Sequence, residues 1–383
     1  MFDKRSLPVA APLFAYFFFY CAAIGILMPY MSIYYSSIGL NGSQIGRLMS
    51  TFTLASIVVP HFWGWLTTKF GLPKKVMQIC MLGTLLSFIP FNFSTTFDTL
   101  FILTCILALF YSALMPLADG LAVMSIQNTR IPYTRIRVGG SLGYIVSVSL
   151  IGYAIKLLGV GVIIPSICVC LALAFLTSMF IKEKPYKASS SHVEGNFKEL
   201  LFRKEVALFF GLAFLSYMAH APFNIFFAVH LSSAGYSGSE IGLLLSFGVV
   251  IEVLLFLYCG HFVQRYYAIH LLLLCFACGV VRWGLLAWFS SSLLVVLFTQ
   301  LMHCITFALF HMVSIDQVRR LFPGRFGSQG QSTYSAFSVG LGSGIGMILA
   351  GYSWDIIGGN WTFTVSSLMS VAAIICLVKS QKQ

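Results

Sequence analysis

Asp119 lies inside an apolar stretch, FYSALMPLADGLAVM, and eighteen residues later Arg137 opens another, YTRIRVGGSLGY. A carboxylate in apolar surroundings is costly to keep ionised, and an arginine within reach offsets that cost, so the pair has the chemistry of a substrate or ion pathway. Its bland alternative is a structural ion pair that pins two helices. Glu252, in SFGVVIEVLLF, has no compensating charge within a helical turn. It either loads and unloads a proton or stays protonated and hydrogen-bonded across helices. Arg282, in GVVRWG, is its expected partner. His220, His303 and His311 also fall in apolar runs, where a neutral imidazole satisfied by a neighbour competes with a proton-handling role. No nucleophile-base arrangement or metal-ligand spacing is present, so neither an enzyme nor a cofactor or metal is expected. The ten cysteines lie in apolar runs, and Cys275-x-x-Cys278 is read as packing.

Elements able to position these groups follow from composition. The chain has 383 residues, 58% hydrophobic and 9% charged, with a mean hydropathy of +0.90. These values belong to a chain whose solvent is the bilayer. Apolar runs long enough to cross about 30 Å of hydrocarbon, roughly 20 residues each, occur near 9–36, 43–66, 75–93, 98–125, 138–158 and 160–181. Six more follow near 205–233, 239–263, 269–289, 292–317, 331–354 and 358–378. The first is too long for the apolar part of a cleaved leader and is expected to remain as a helix.

A net charge of +12 could imply a nucleic-acid partner, but the placement of the 23 Lys and Arg residues argues otherwise. With both termini cytoplasmic, the inner loops and helix ends collect Lys4, Arg5, Lys69, Lys74, Lys75, Arg130, Arg135 and Arg137, six in the central loop, then Arg265, Arg319, Arg320, Arg325, Lys379 and Lys382. The outer loops hold only Lys156. That asymmetry is the positive-inside rule. Arg47 is expected to snorkel outward from the start of the second helix, and Asp316 to form an interfacial salt bridge with Arg319 or Arg320.

The chain also repeats. IGLNGSQIG at 38–46 returns as AGYSGSEIG at 234–242, an offset of 196 that also relates Gly64 to Gly260 and Lys69 to Arg265; Gly152-Tyr153 returns at Gly351-Tyr352. Two parallel six-helix halves are predicted, 1–181 and 205–383, joined by a polar, Ser-rich cytoplasmic linker at 182–204. The run VGLGSGIGMILAG at 339–351 lacks the strand and Lys-Ser/Thr of a phosphate loop, and is read as a small-residue packing face. Gly139 to Gly143 (GGSLG) is read likewise.

On these features the whole chain resembles the major facilitator superfamily of transporters. The turn GWLTTKFGLPKK resembles that superfamily's G-x-L-x-D-[RK]-x-G-[RK]-[RK] motif, keeping Gly64, Lys69 and Gly71 but placing Thr68 at the acid and Leu72-Pro73 at basic positions. Within the superfamily it is similar to the lactose permease group, and AHAPFN, GVVIEVLLF, GVVRWG and MHCITF resemble most densely the 3-phenylpropionate permeases. The lactose permease resemblance implies that Asp119 and Arg137 bind substrate, with Tyr144 at the position of a stacking tryptophan. It also places His303 at a helix-ten histidine and Thr306 where the proton-carrying glutamate would be. Thr306 cannot carry a proton, so Glu252 is expected to do so, with Arg282 and His303 tuning it.

The expected protein is therefore an all-α, multi-pass membrane protein of twelve helices in two pseudo-symmetric bundles, working by alternating access as a proton symporter. Its expected partners are a small molecule, protons and lipid; it is expected to be a monomer in a bacterial inner membrane. The preferred substrate is an aromatic carboxylate such as 3-phenylpropionate, imported. A sugar, oligosaccharide or nucleoside is the alternative, and a non-transporting sensor or lipid-handling protein the alternative of another class.

Overall fold

The computed structural model describes residues 7–127, 129, 131–182, 197–258, 263 and 265–381. Lys4, Arg5, Arg130, Cys259, Gly260, Lys382, the side chain of Arg325 and positions 183–196 of the predicted linker lie outside the described residues.

Among the described residues the chain is helical, with no strand. The crossing helices are α1 (Leu7–Ser37), α2 (Gly42–Phe70), α3 (Pro73–Phe88, continued by the 3-10 turn Ile89–Phe93), α4 (Phe97–Ile126), α5 (Tyr133–Leu158) and α6 (Ile163–Met179). A short helical turn, Phe197–Leu201, precedes α7 (Lys204–Ser233), α8 (Gly238–Tyr258) and α9 (Ala268–Trp288). In α10 (Leu293–Leu321), the middle segment Cys304–Leu309 is a π-helix. The last helical stretch, Gln329–Ser380, has 52 residues, about 78 Å at 1.5 Å per residue and far too long for one crossing. Gly358, at φ 79°, turns the chain inside it. It therefore supplies two crossings, α11 (327–357) and α12 (359–380), and the predicted twelve are present. A second π segment, Ser335–Leu341, lies within α11.

The chain forms two compact units: residues 1–40, 51–190 and 237–246 in one, and residues 41–50, 191–236 and 247–383 in the other. In the first, α1 packs on α5 and α6, and α3 on α4 and α6. Its interior is aromatic: Tyr16 and Tyr20 stack at 5.9 Å, and Tyr111 stands beside both Tyr20 and Phe52. In the second, α7 and α9 pack on the α11–α12 stretch around Phe209, Phe210, Phe276, Phe310, Phe322 and Tyr334. Large side chains such as Phe62, Leu150, Leu257 and Leu294 are exposed, as suits faces in contact with acyl chains rather than water.

Small residues set how closely these helices approach. A β-carbon on Gly143 of α5 would run into the Phe18 backbone of α1, one on Gly139 would lie 2.6 Å from the Phe14 carbonyl, and one on Gly140 2.8 Å from Cys21 Sγ. The 339–351 run behaves the same way, Gly342 and Gly346 resting against the α7 backbone at Phe214 and Met218. Both glycine runs thus do the packing expected of small-residue faces.

The internal repeat has a local physical cause. At the start of α2, Asn41 Oδ1 accepts the Gln44 N–H at 2.9 Å while Gln44 Oε1 accepts the Asn41 N–H at 3.0 Å. At the start of α8, Ser237 Oγ accepts the Glu240 N–H at 3.4 Å while Glu240 Oε2 accepts the Ser237 N–H at 2.7 Å. Both are capping boxes. The glycines that follow are repeated for a different reason. In the second unit Gly42 and Gly46 meet α11 at Gly351 and Met347; in the first, Gly238 and Gly242 meet α5 at Gly152 and Val148. Asp355 of α11 adds a contact without a repeat mate, its carboxylate accepting the Gly42 and Ser43 N–H groups at 2.6 and 2.7 Å. A carboxylate there satisfies orphan donors and the positive end of the α2 dipole.

The sequence-motif residues differ in what they do. Gly71 ends α2 at φ 65°, a conformation that favours glycine. Gly64 has open space where a β-carbon would stand. The Lys69 ammonium lies 4.8 Å from the Trp65 ring centre. Accordingly, Gly143→Ala is expected to lower the unfolding temperature in detergent by several degrees, since overpacking costs about 1–3 kcal/mol. Gly64→Ala should leave it unchanged within error; equal unfolding temperatures for the two variants would contradict the close α1–α5 approach.

Candidate functional site

In the first unit, α4 supplies Asp119 and α5 supplies Arg137. Arg137 Nη1 stands 3.4 Å from Asp119 Oδ1, with both side chains a little over one third exposed. The stronger hydrogen bond to that carboxylate is one the sequence reading missed: Tyr133 donates its hydroxyl to Asp119 Oδ1 at 2.5 Å. Tyr133 and Arg137 are four residues apart on α5 and so share one helical face, which is the signal that could have found it. Arg137 Nη1 also contacts Met115 Sδ at 2.8 Å, and the guanidinium lies 5.2 Å from the Phe17 ring centre. Pro116, one turn before Asp119, interrupts the α4 hydrogen-bond ladder. Tyr144 is two turns further along α5, about 10 Å at 1.5 Å per residue, with its backbone against Gly25.

In the second unit, Glu252 of α8 pairs with His303 of α10, Oε2 to Nε2 at 3.5 Å, with side-chain exposures of 19% and 12%. This corrects the expected pairing of Glu252 with Arg282. Arg282 of α9, fully buried, instead donates from Nε to the Thr299 carbonyl at 3.0 Å and from Nη1 to Thr306 Oγ1 at 2.9 Å. Its guanidinium lies 4.4 Å from the Phe223 ring centre and 4.3 Å from that of Trp283. The α10 segment around His303 attracts the arginine because it offers acceptors: a backbone carbonyl one turn before the π-helix and the hydroxyl of Thr306 within it. Thr306 in turn donates to the Met302 carbonyl at 3.1 Å, so the residue that cannot carry a proton holds the arginine in place.

The histidines divide between two settings. His220 of α7 donates from Nδ1 to the Ser216 carbonyl at 3.0 Å and meets Trp283 edge-on at 4.9 Å. His303 stacks on Phe307 at 5.3 Å and lies 5.2 Å from Phe223. His311 is two turns along α10, its Nδ1 3.5 Å from the Tyr217 hydroxyl, which contacts the Tyr334 hydroxyl at 3.2 Å. His220 and His303 therefore join the Arg282 cluster, and His311 joins a separate tyrosine pair. Asp316 pairs with Arg320 at 2.7 Å, as expected. Arg47 reaches back to the Ser43 carbonyl. Surface clefts such as one of about 530 Å³ lined by Lys204, Glu205, Gln317 and Leu321 contain none of these residues.

Charged side chains paired inside a helical membrane protein, with glycine-lined helix contacts, fit the predicted family, and sequence comparison decides it. The MFS_1 like family model matches residues 12–365. The chain belongs to that family. It is thus a major facilitator transporter. It is 29% identical to the probable 3-phenylpropionic acid transporter of Escherichia coli K12 over 373 residues, spanning 94% of each chain. It is 24% identical to the maltose permease of Geobacillus stearothermophilus, spanning 97% of this chain and 94% of that one. The crystal structure of the nucleoside transporter NupG superposes with a TM-score of 0.86 at 17% identity, covering 98% of this chain and 99% of that one. At that identity the likeness speaks for the fold.

The transporter's second-unit geometry makes a measurable statement about coupling. Glu252→Gln and His303→Gln are expected to be non-additive in a double-mutant cycle of reversible unfolding in mixed micelles, with an interaction of about 0.5–3 kcal/mol. Glu252→Gln combined with Arg282→Lys should show a smaller one. A larger coupling to Arg282 than to His303 would refute the pairing.

Proposed function

We propose that the transporter is a proton-coupled symporter that imports a small aromatic carboxylate, such as 3-phenylpropionate, by alternating access of two six-helix bundles at 1–181 and 205–383 joined by the 182–204 linker. The observation that carries this reading is the Glu252–His303 contact, a membrane-embedded carboxylate 3.5 Å from an imidazole. A carboxylic acid facing a titratable ring has two protonation states within reach of one another, which is what loading and unloading a proton requires. Glu252 is the proton carrier, His303 its immediate partner, and Arg282 a fixed positive charge beside them. Asp119, Arg137 and Tyr144 belong to the substrate pathway. Gly64, Lys69 and Gly71 act in the conformational change. One proton moved with one carboxylate carries no net charge, so alternating access would draw on the pH gradient, worth about 1.4 kcal/mol per pH unit.

The aromatic-acid substrate draws support from the 29% identity to the probable 3-phenylpropionic acid transporter. A second reading, a sugar or nucleoside symporter, is favoured by the Asp119–Arg137–Tyr133 group. Its carboxylate, guanidinium and phenol offer both donors and acceptors at partial exposure, as hydroxyl-rich ligands require. Relatives named as maltose permease and nucleoside transporter fit that reading.

Uptake into right-side-out vesicles with an imposed inward proton gradient separates the two. Gradient-driven accumulation of 3-phenylpropionate, without maltose or nucleoside accumulation, is expected; the opposite preference would replace the carboxylate reading by the second. Glu252→Gln should abolish accumulation while preserving exchange of labelled for unlabelled substrate. Accumulation to the wild-type level in that variant would remove Glu252 as the carrier.

A further inference from the structure

Three nitrogen-bearing side chains and three aromatic rings alternate in the second unit. Phe223 touches both Arg282 and His303, Trp283 touches both Arg282 and His220, and Phe307 touches both His220 and His303. Gln300 stands one helical turn before His303, with its carbonyl end held over Gly248. Each of the four polar side chains keeps a buried nitrogen for which no described residue provides a hydrogen-bond partner: Arg282 Nη2, His220 Nε2, Gln300 Nε2 and His303 Nδ1. Arg282 spends two of its five N–H groups on Thr299 and Thr306 and has three left. No described carboxylate lies within 4 Å of it.

A buried guanidinium without a counter-charge is among the costliest arrangements a protein interior holds. An anion that enters the cluster offsets that cost and fills several of the orphan nitrogens together. We infer that Arg282, Gln300 and His303 form the binding subsite for the substrate's carboxylate, with the Phe223, Trp283 and Phe307 rings receiving its aromatic body. The inference rests on the proposed transport of an aromatic acid and moves the substrate's charged end to α9 and α10. The guanidinium fork suits a planar carboxylate, and the rings offer stacking and edge contacts to an aromatic group. Arg282 Nη2, Gln300 Nε2 and His303 Nδ1 can present N–H groups, whereas His220 Nε2 is the lone-pair nitrogen of a ring whose Nδ1 donates to Ser216, and this excess of donors beside a guanidinium favours an anion over a polyol. Phe223 lies over the guanidinium and beside His303, the cluster's more exposed end.

His303 then ties the substrate to the proton. Its Nε2 faces Glu252, and its Nδ1 is buried with no described partner. A protonated Glu252 donates to Nε2, which leaves the ring's own proton on Nδ1, the donor a bound carboxylate needs. An ionised Glu252 draws that proton to Nε2 and withdraws the donor. Among the described residues, the other titratable or charged groups acting on this pair are His311 and Arg282, with His220 beside them.

Binding to the purified full-length protein in nanodiscs tests the subsite, using 3-phenylpropionate and its neutral isostere 3-phenylpropanamide. The wild type should favour the acid at least about 10-fold. Arg282→Gln should weaken the acid by about 10- to 100-fold, the range for a lost charge-assisted hydrogen bond, and leave the amide unchanged. Arg282→Lys, which keeps the charge, should fall between and serves if Arg282→Gln fails to fold. The acid should also change tryptophan emission in the wild type and lose that signal in Trp283→Phe. Wild-type acid affinity in Arg282→Gln, or an emission change that survives Trp283→Phe, overturns the subsite while the transport reading stands. Failure of the wild type to bind or accumulate any aromatic acid overturns both.

Discussion

Hydrocarbon offers no hydrogen bonds, so every polar side chain on a crossing helix must be satisfied from within the protein or by something the protein carries. Most of the architecture answers this requirement locally. Serine and threonine hydroxyls bend back to carbonyls three or four residues earlier, as at Thr84, Thr104 and Ser125. Glycine faces let backbones approach without polar contacts at all. Among the described residues, the groups left over after these local solutions include Glu252, Arg282 and His303. The second unit's chemistry follows from what these residues lack in a medium that supplies nothing.

The π-helix at Cys304–Leu309 helps to explain how one short stretch of α10 serves several of them. A π turn takes one more residue than an α turn, so it shifts the faces of everything beyond it, and such segments recur at functional sites. Before it lie the Thr299 carbonyl and His303; within it lies Thr306; beyond it lies His311. Arg282 is held across the start of this segment, bonded on both sides of His303. The ring that faces Glu252 is therefore flanked by the two anchors of the arginine. Displacing either anchor moves the histidine's surroundings as well.

Some of this was legible in the sequence and some was not, for identifiable reasons. The crossings could be read because an apolar run of about 20 residues has few other uses. The repeat could be read because capping boxes at Asn41–Gln44 and Ser237–Glu240, and the glycines after them, demand particular residue types at fixed spacing. The pairing of Asp119 with Arg137 was likewise visible, since both stand out against apolar flanks. Tyr133 was missed because a tyrosine at a helix start is unremarkable by composition, and only its four-residue spacing to Arg137 places it on the carboxylate. The partner of Glu252 was misassigned because charge alone nominates Arg282. Backbone carbonyls, which proved to be competing acceptors for that arginine, have no signature in sequence. The π-helix hid the relation of His303 to His311, since ordinary helical periodicity misplaces every face after residue 304.

The two units also differ in how complete their polar groups are. In the first, acid and base are present together: Asp119 accepts from Tyr133 and faces Arg137, which has Met115 and Phe17 as further neighbours, at an exposure that lets water share the load. Such a group is close to neutral and stable by itself, and a ligand gains there only by exchanging one satisfied contact for another. In the second unit's Arg282 cluster, donors outnumber acceptors, the arginine is sealed from water, and Glu252 is paired with a histidine instead. A ligand with a negative end gains most where the protein has left positive charge and N–H groups unanswered. The lactose permease resemblance places substrate recognition on the Asp119–Arg137 side; the imbalance of donors and acceptors places the stronger pull for an anion on α9 and α10. A neutral, hydroxyl-rich substrate would feel the opposite preference, so the chemistry of the substrate and the unit that grips it are one question.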